Sequence, residues 1–219
     1  MHKLSNRARV LIFIALGAII YVLSNIVDEL RVYQGATVAV FVIGIASIIL
    51  LTGYSGQVSL GQGAMFAFGA YCATLARIHW EASLVVTFIC AILGAALAGA
   101  LLGLAAARLS GPYLAGTTLA LAVGLPSIAN KFTFLGGEQG LPFEVGMPPA
   151  SLGEEFSPYK WVFWIAALTT LIAIFWLQNV MRSRYGRTWK AVRGNDVAAE
   201  LAGINVARSK ILAFSLSSG

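Results

Sequence analysis

Residues 51–71 read LTGYSGQVSLGQGAMFAFGAY, and their crowded glycines, serines and glutamines admit three kinds of chemistry. The first is a phosphate cradle. A Walker-type loop needs a Gly-Lys pair followed by Ser or Thr, and the chain has no Gly-Lys pair. A dinucleotide fingerprint needs a third glycine three positions after Gly63, where Phe66 stands instead. Neither loop is present, so any ATP that drives this chain is hydrolysed by another subunit. The second is a serine nucleophile: Gly53-Tyr54-Ser55-Gly56 spells G-x-S-G, the turn used by rhomboid-type intramembrane proteases. Such a serine needs a base within hydrogen-bond reach, normally a histidine. The chain has only His2, in an N-terminal tail, and His79, expected in an outer loop a bilayer away from Ser55. No catalytic residue is assigned, and the chain is expected not to be an enzyme. The third is a membrane transport segment. At 100° per residue Ser55, Ser59, Gln62 and Gly63 fall on one arc of a helix following the turn, with Phe66 and Ala70 continuing it. Glutamine is costly against lipid, so this arc must face protein or a water-filled path. Packing through side-chain hydrogen bonds and lining of a substrate pathway by Ser55, Ser59 and Gln62 both stay open.

The elements that would position this stretch follow from composition. Of the 219 residues 58% are hydrophobic and 11% charged, with mean hydropathy +0.81. A soluble domain carries about 25% charged residues, so the chain is read as an all-α, polytopic membrane bundle forming a single transmembrane domain over residues 1–219. A spanning helix needs about 20 mostly apolar residues, and runs of that kind lie near 10–27, 34–52, 57–76, 82–107, 112–130 and 160–180. A seventh run begins near Ile211 and stops at Gly219. Six complete spans and a truncated seventh are therefore expected, and the cut can leave small-residue faces such as that of Gly99 and Gly103 unpaired. Cys72 and Cys90 sit in apolar runs and read as inert thiols. No metal-ligand cluster or cofactor motif is seen.

With the N-terminus inside, eleven of the fifteen Lys and Arg fall in inner segments, and seven of the nine Asp and Glu fall outside. This is the positive-inside pattern. It makes the net charge of +6 a signal of topology rather than of nucleic-acid binding. The outer loop 131–160 is rich in Gly and Pro and is expected to be irregular, with room for a short interfacial helix. Pro126 is expected to kink the fifth span.

The inner segment 181–210, MRSRYGRTWKAVRGNDVAAELAGINVARSK, carries seven cations. Asn195 or Asp196 can cap a short helix over 197–202, and Gly203 suits the left-handed position past its end. A second helical piece is expected from Thr188 to Arg193, with Trp189 and Val192 on one side. A helix lying in lipid headgroups and a docking knob for a soluble partner both fit this pattern.

LTGYSGQVSLGQGAMFAFGAY, followed in order by GPYLAGTTLALAV, GGEQGL and SRYGRTWKAVRGNDVAAELAGINVARSKILAF, resembles the LivM-type permease subunits of branched-chain amino acid ABC importers over roughly residues 35–219. The last motif is similar to the EAA-type coupling loop of ABC permeases, in which a short helix ending at a glycine engages the ATPase. By that resemblance Ala198, Ala199, Glu200 and Gly203 form the core of the contact, and Arg184, Gly186, Arg187 and Arg193 match the basic approach to it. The chain reads SLGQGAMF where family members often carry SLGHAAFF, and RGND where RDNE is more common, so Gln62 and Gly63 depart from the usual pattern. The resemblance implies a sister permease subunit, two ATP-binding subunits, a periplasmic substrate-binding protein received in part by loop 131–160, and a place in the inner membrane with the N-terminus cytoplasmic. It also implies that the family continues beyond position 219. Similar-looking permeases handle urea and short amides. A stand-alone secondary transporter would need an ionisable residue within the membrane, and none falls in the six runs.

Overall fold

Apolar sequence with few charges must satisfy its backbone polar groups internally if it crosses lipid, and helices do this within one segment. The computed structural model describes residues 6–109, 111–143, 145–149, 152 and 156–219, and its regular structure is all helical. In order, the elements are α1 (Asn6–Ile26), α2 (Glu29–Ile48) continued by a π-helical turn (Ile49–Tyr54), α3 (Gln62–Trp80), α4 (Leu84–Ala106) and α5 (Pro112–Ala129). Two 3-10 turns follow (Thr133–Leu135 and Gly137–Gln139), then α6 (Pro158–Arg182), α7 (Arg184–Gly194), α8 (Asp196–Leu201) and α9 (Val206–Ser218).

Among the described residues five helices are long and apolar enough to cross a membrane: α1, α2 with its π-helical turn, α4, α5 and α6. Of the six expected spans, the third does not meet that measure of length and apolar character, so the count of six is not confirmed. α3 is 19 residues long, but Gln62 at its start and Arg77 and His79 in its last turn lower its apolar character, and it is not among the five. It also begins at Gln62 rather than near residue 57. Residues 55–61 are not helical, so Ser55 and Ser59 do not share a helical arc with Gln62. His79 lies in α3 and not in a loop. Seventeen residues of helix at 1.5 Å each place it about 25 Å along the axis from Gln62, out of reach of Ser55. His2, Lys3, Glu144, Glu154 and Glu155 lie outside the described residues. The described part of loop 131–160 holds the two 3-10 turns. The fifth helix runs through Pro126.

The chain divides into two compact units. The first comprises Met1–Ala46 and Val145–Asn179. Within it Arg9, near the start of α1, donates from Nη2 to Asn179 Oδ1 near the end of α6 at 2.8 Å. At the opposite ends Trp164 Nε1 donates to Ser24 Oγ at 3.0 Å. α1 and α6 are therefore antiparallel. α2 runs parallel to α6: Tyr33 stacks edge-on against Tyr159, and Thr170 Oγ1 donates to Ala39 O at 3.0 Å.

The second unit comprises Ser47–Glu144 and Val180–Gly219. Its core is the antiparallel pairing of α4 with α9. A Cβ on Gly103 would lie 2.6 Å from Ile211 Cα, and one on Gly99 would lie 2.6 Å from Phe214 O. Ser215 Oγ donates to Ala96 O at 3.0 Å. The small residues of α4 let two backbones approach this closely. The face of Gly99 and Gly103, whose pairing the sequence leaves open, is filled by the helix that begins at Val206. α3 and α4 form a hairpin closed by Arg77, whose Nη1 donates to Ala82 O at 2.6 Å.

Candidate functional site

The residues singled out in segment 181–210 fold into a small helical module within the second unit. Ser183 separates α6 from α7 and caps α7, its Oγ accepting from Tyr185 N at 3.2 Å. The turn is so sharp that a Cβ on Gly186 would lie 2.0 Å from Met181 O, so only glycine fits there. α7 then buries Trp189 and Val192 on one side, and Trp189 Nε1 donates to Ser209 O at 3.0 Å.

α8 is set by local chemistry at both ends. The Asn195 side chain accepts from Ala198 N at 3.0 Å, satisfying one of the free N–H groups of the first turn. At the other end Gly203 has φ +81°. Gly203 N bonds Glu200 O at 2.9 Å and Ile204 N bonds Ala199 O at 3.0 Å, the paired closing bonds of a Schellman motif. Asp196 in the first turn accepts from Lys210 Nζ of α9 at 2.5 Å, and the lysine side chain is 6% exposed against 47% for the aspartate.

Arg184, Arg187, Arg193, Ala198, Glu200 and Gly203 are exposed, whereas Gly186 and Ala199 are buried. Ala199 faces the chain. The outward apolar surface of α8 is carried instead by Val197, 66% exposed, and Leu201, 86% exposed. Sequence reasoning missed this pair. Their i, i+4 spacing around a small Ala199 is the signal that finds them, because residues four apart share a helix face.

The glycine- and serine-rich stretch lies against this module. Arg193 Nη1 donates to Gly53 O, and Lys190 Nζ sits 4.8 Å from the centroid of the Tyr54 ring. Gly56 has φ +73°, and a Cβ there would lie 2.8 Å from Arg193 Cγ. Ser55 is fully buried, and its hydroxyl has no hydrogen-bond partner among the described residues. A cavity of about 370 Å³ is lined by Ser55, Gly56, Arg193, Asn195, Asp196 and Lys210 among others. Further along, Ser59 Oγ accepts from Gly61 N at 3.3 Å, and Leu60 N donates to Thr118 Oγ1 of α5 at 3.0 Å. Gln62 is buried, and its Nε2 donates to Ser47 Oγ at 2.7 Å and to Ser217 Oγ at 2.8 Å. The structure thus brings Gly53 to Gly56 together with Arg193, and Gln62 together with the ends of α2 and α9.

Residues 30–219 match the family model described as branched-chain amino acid transport system / permease component. Two curated proteins are each 28% identical to the chain over 193 residues: the high-affinity branched-chain amino acid transport system permease proteins LivM of Escherichia coli and of Salmonella typhimurium. Each alignment covers 77% of this chain and 45% of the relative, so the chain spans less than half the length of these proteins. No solved structure matches the chain.

Proposed function

We propose a function from the premise that the chain belongs to the branched-chain amino acid transport system permease family: it forms the membrane-embedded part of an ABC-type importer subunit. It performs no bond chemistry. It carries branched-chain or related amino acids across the inner membrane while two partner subunits bind and hydrolyse ATP, alongside a sister permease and a periplasmic binding protein. The N-terminus is cytoplasmic in this reading, which the positive-inside pattern supports.

The observation that carries the reading is α8. It is capped at both ends, tied to α9 through Asp196, and presents Val197 and Leu201 outward. A short rigid helix with apolar residues on its free face is what a groove on a soluble partner receives. Arg184, Arg187, Glu200 and Gly203 surround that face in the proposed contact. Ser55, Ser59 and Gln62 stand as the proposed pathway segment, with Gln62 set apart by its two serine partners.

The test is ATP-driven uptake by the full-length protein assembled with its ATPase. Leu201→Asp and Gly203→Trp are each expected to reduce assembly and uptake at least tenfold, and survival of both activities in both variants refutes the coupling role. Gln62 and Gly63 depart from the family's common SLGHAAFF, and urea or short amides stand as the alternative substrate class. Uptake measured in parallel with leucine and with urea separates the two.

A further inference from the structure

Arg193 was expected to approach the ATPase, yet its guanidinium is bonded to the chain's own backbone. Its acceptor, Gly53 O, sits near the end of the π-helical turn, where helix carbonyls lack intrahelical partners and where cations are favoured by the helix dipole. Lys190, one turn earlier on α7, places its ammonium over Tyr54 in the same turn. Gly56 is required twice over in this contact, for its φ of +73° and because a Cβ would collide with the Arg193 stem.

The turn itself is suited to movement. Ser55 N bonds Leu50 O at 3.2 Å in the five-residue register, and Gln57 N reaches back to Leu51 O at 3.1 Å. A π-turn differs from an α-helix by one residue of register, and such turns recur at functional sites. Beyond it, residues 55–61 carry no helix, and the segment is next held at Leu60 by Thr118 and at Gln62 by Ser47 and Ser217.

We propose that Arg193 is a positioning residue that latches α7 to the π-helical turn, so that displacement of the α7–α8 module shifts segment 53–62 against its anchors on α5 and α9. The proposal rests on the importer reading for its functional consequence, but the latch itself does not.

Two measurements test it on the full-length permease assembled with its partner subunits. In vesicles, Gly56→Ala and Arg193→Ala are expected to lower the ratio of substrate moved to ATP hydrolysed at least tenfold. The double variant should be no worse than the poorer single variant, because both break one contact. By hydrogen exchange, Arg193→Ala is expected to raise exchange in peptides spanning 49–62 at least tenfold, with α4 and α9 peptides changed less than twofold. Arg193→Lys should restore part of the protection. Unchanged exchange over 49–62, an unchanged transport ratio, or loss of the ATPase from Arg193→Ala but not from Gly56→Ala overturns the latch. Absence of ATP-driven uptake in the unaltered protein overturns the importer reading instead, and the exchange experiment still decides the latch.

Discussion

The ion pair between Asp196 and Lys210 predicts an asymmetric response to mutation. The lysine is almost wholly enclosed while the aspartate is nearly half exposed. Removing the aspartate leaves an enclosed ammonium without its counter-ion, and breaking a buried pair this way costs about 3–5 kcal/mol. Water reaches the carboxylate side of this pair, so Asp196→Ala is expected near or below the lower end of that range, about 2–3 kcal/mol. Removing the lysine is milder. In Lys210→Met an apolar stem of similar length fills the enclosed site, and the carboxylate left behind is partly hydrated at a helix N-terminus, where negative charge is favoured. That change is expected to cost no more than about 1 kcal/mol. Every 1.4 kcal/mol is a factor of ten, so Asp196→Ala should raise amide exchange in peptides covering 196–204 by about 30- to 150-fold, and Lys210→Met by less than about sixfold. The measurement is hydrogen exchange on the full-length permease in detergent or nanodiscs at fixed pH. Equal effects of the two variants, or a less than fivefold effect of Asp196→Ala, would refute the reasoning that enclosure of Lys210 sets the cost.

Thermal unfolding of the full-length protein checks four more outcomes. Gly103→Ala forces α4 and α9 apart, because its Cβ would stand 2.6 Å from Ile211 Cα, and should cost about 1–3 kcal/mol. Gly116→Ala meets nothing within 4 Å in this chain and should change stability by less than about 1 kcal/mol, so a larger loss would mean that another helix packs there. Gln62→Leu removes two hydrogen bonds to serines and should cost about 1–2 kcal/mol. Ser55→Ala deletes a hydroxyl that has no partner among the described residues and should shift stability by less than about 1 kcal/mol while lowering uptake; unchanged uptake removes Ser55 from the pathway.

What could be read from the sequence was what is decided locally. Asn195 and Gly203 mark the ends of α8 because a cap and a left-handed glycine act within a few residues, and both lie where the expectation put them. Trp189 and Val192 share a face by helical spacing alone, and both are buried. Helical spacing misleads at residues 55–61, because that segment is not a helix. The reasons for its glycines lie far away in sequence. Gly56 makes room for Arg193, and Gly61 lies against Thr118, where a Cβ would stand 3.0 Å from the threonine side chain. The pairing of Gly99 and Gly103 was open for a related reason: nothing local in the apolar run near Ile211 shows that Ile211, Phe214 and Ser218 pack into the α4 groove.

The same contacts explain how so short a helix can serve as a docking element. Six residues are too few to hold a helix in water, because the cost of nucleation is not recovered over so few hydrogen bonds. α8 is therefore shaped by its neighbours: the Asn195 cap, the Gly203 closure, the buried Ala199 and the Lys210 ion pair. Its ordering cost is met during folding, which leaves a partner to gain the full benefit of contact with Val197 and Leu201. It follows that residues facing away from the partner should control affinity. If α8 is preorganised in this way, Asp196→Ala weakens ATPase assembly by lowering the population of the ordered helix, with Val197 and Leu201 untouched. A partner that bound equally well to the loosened module would instead be ordering α8 itself, and the rigidity described here would have no part in coupling.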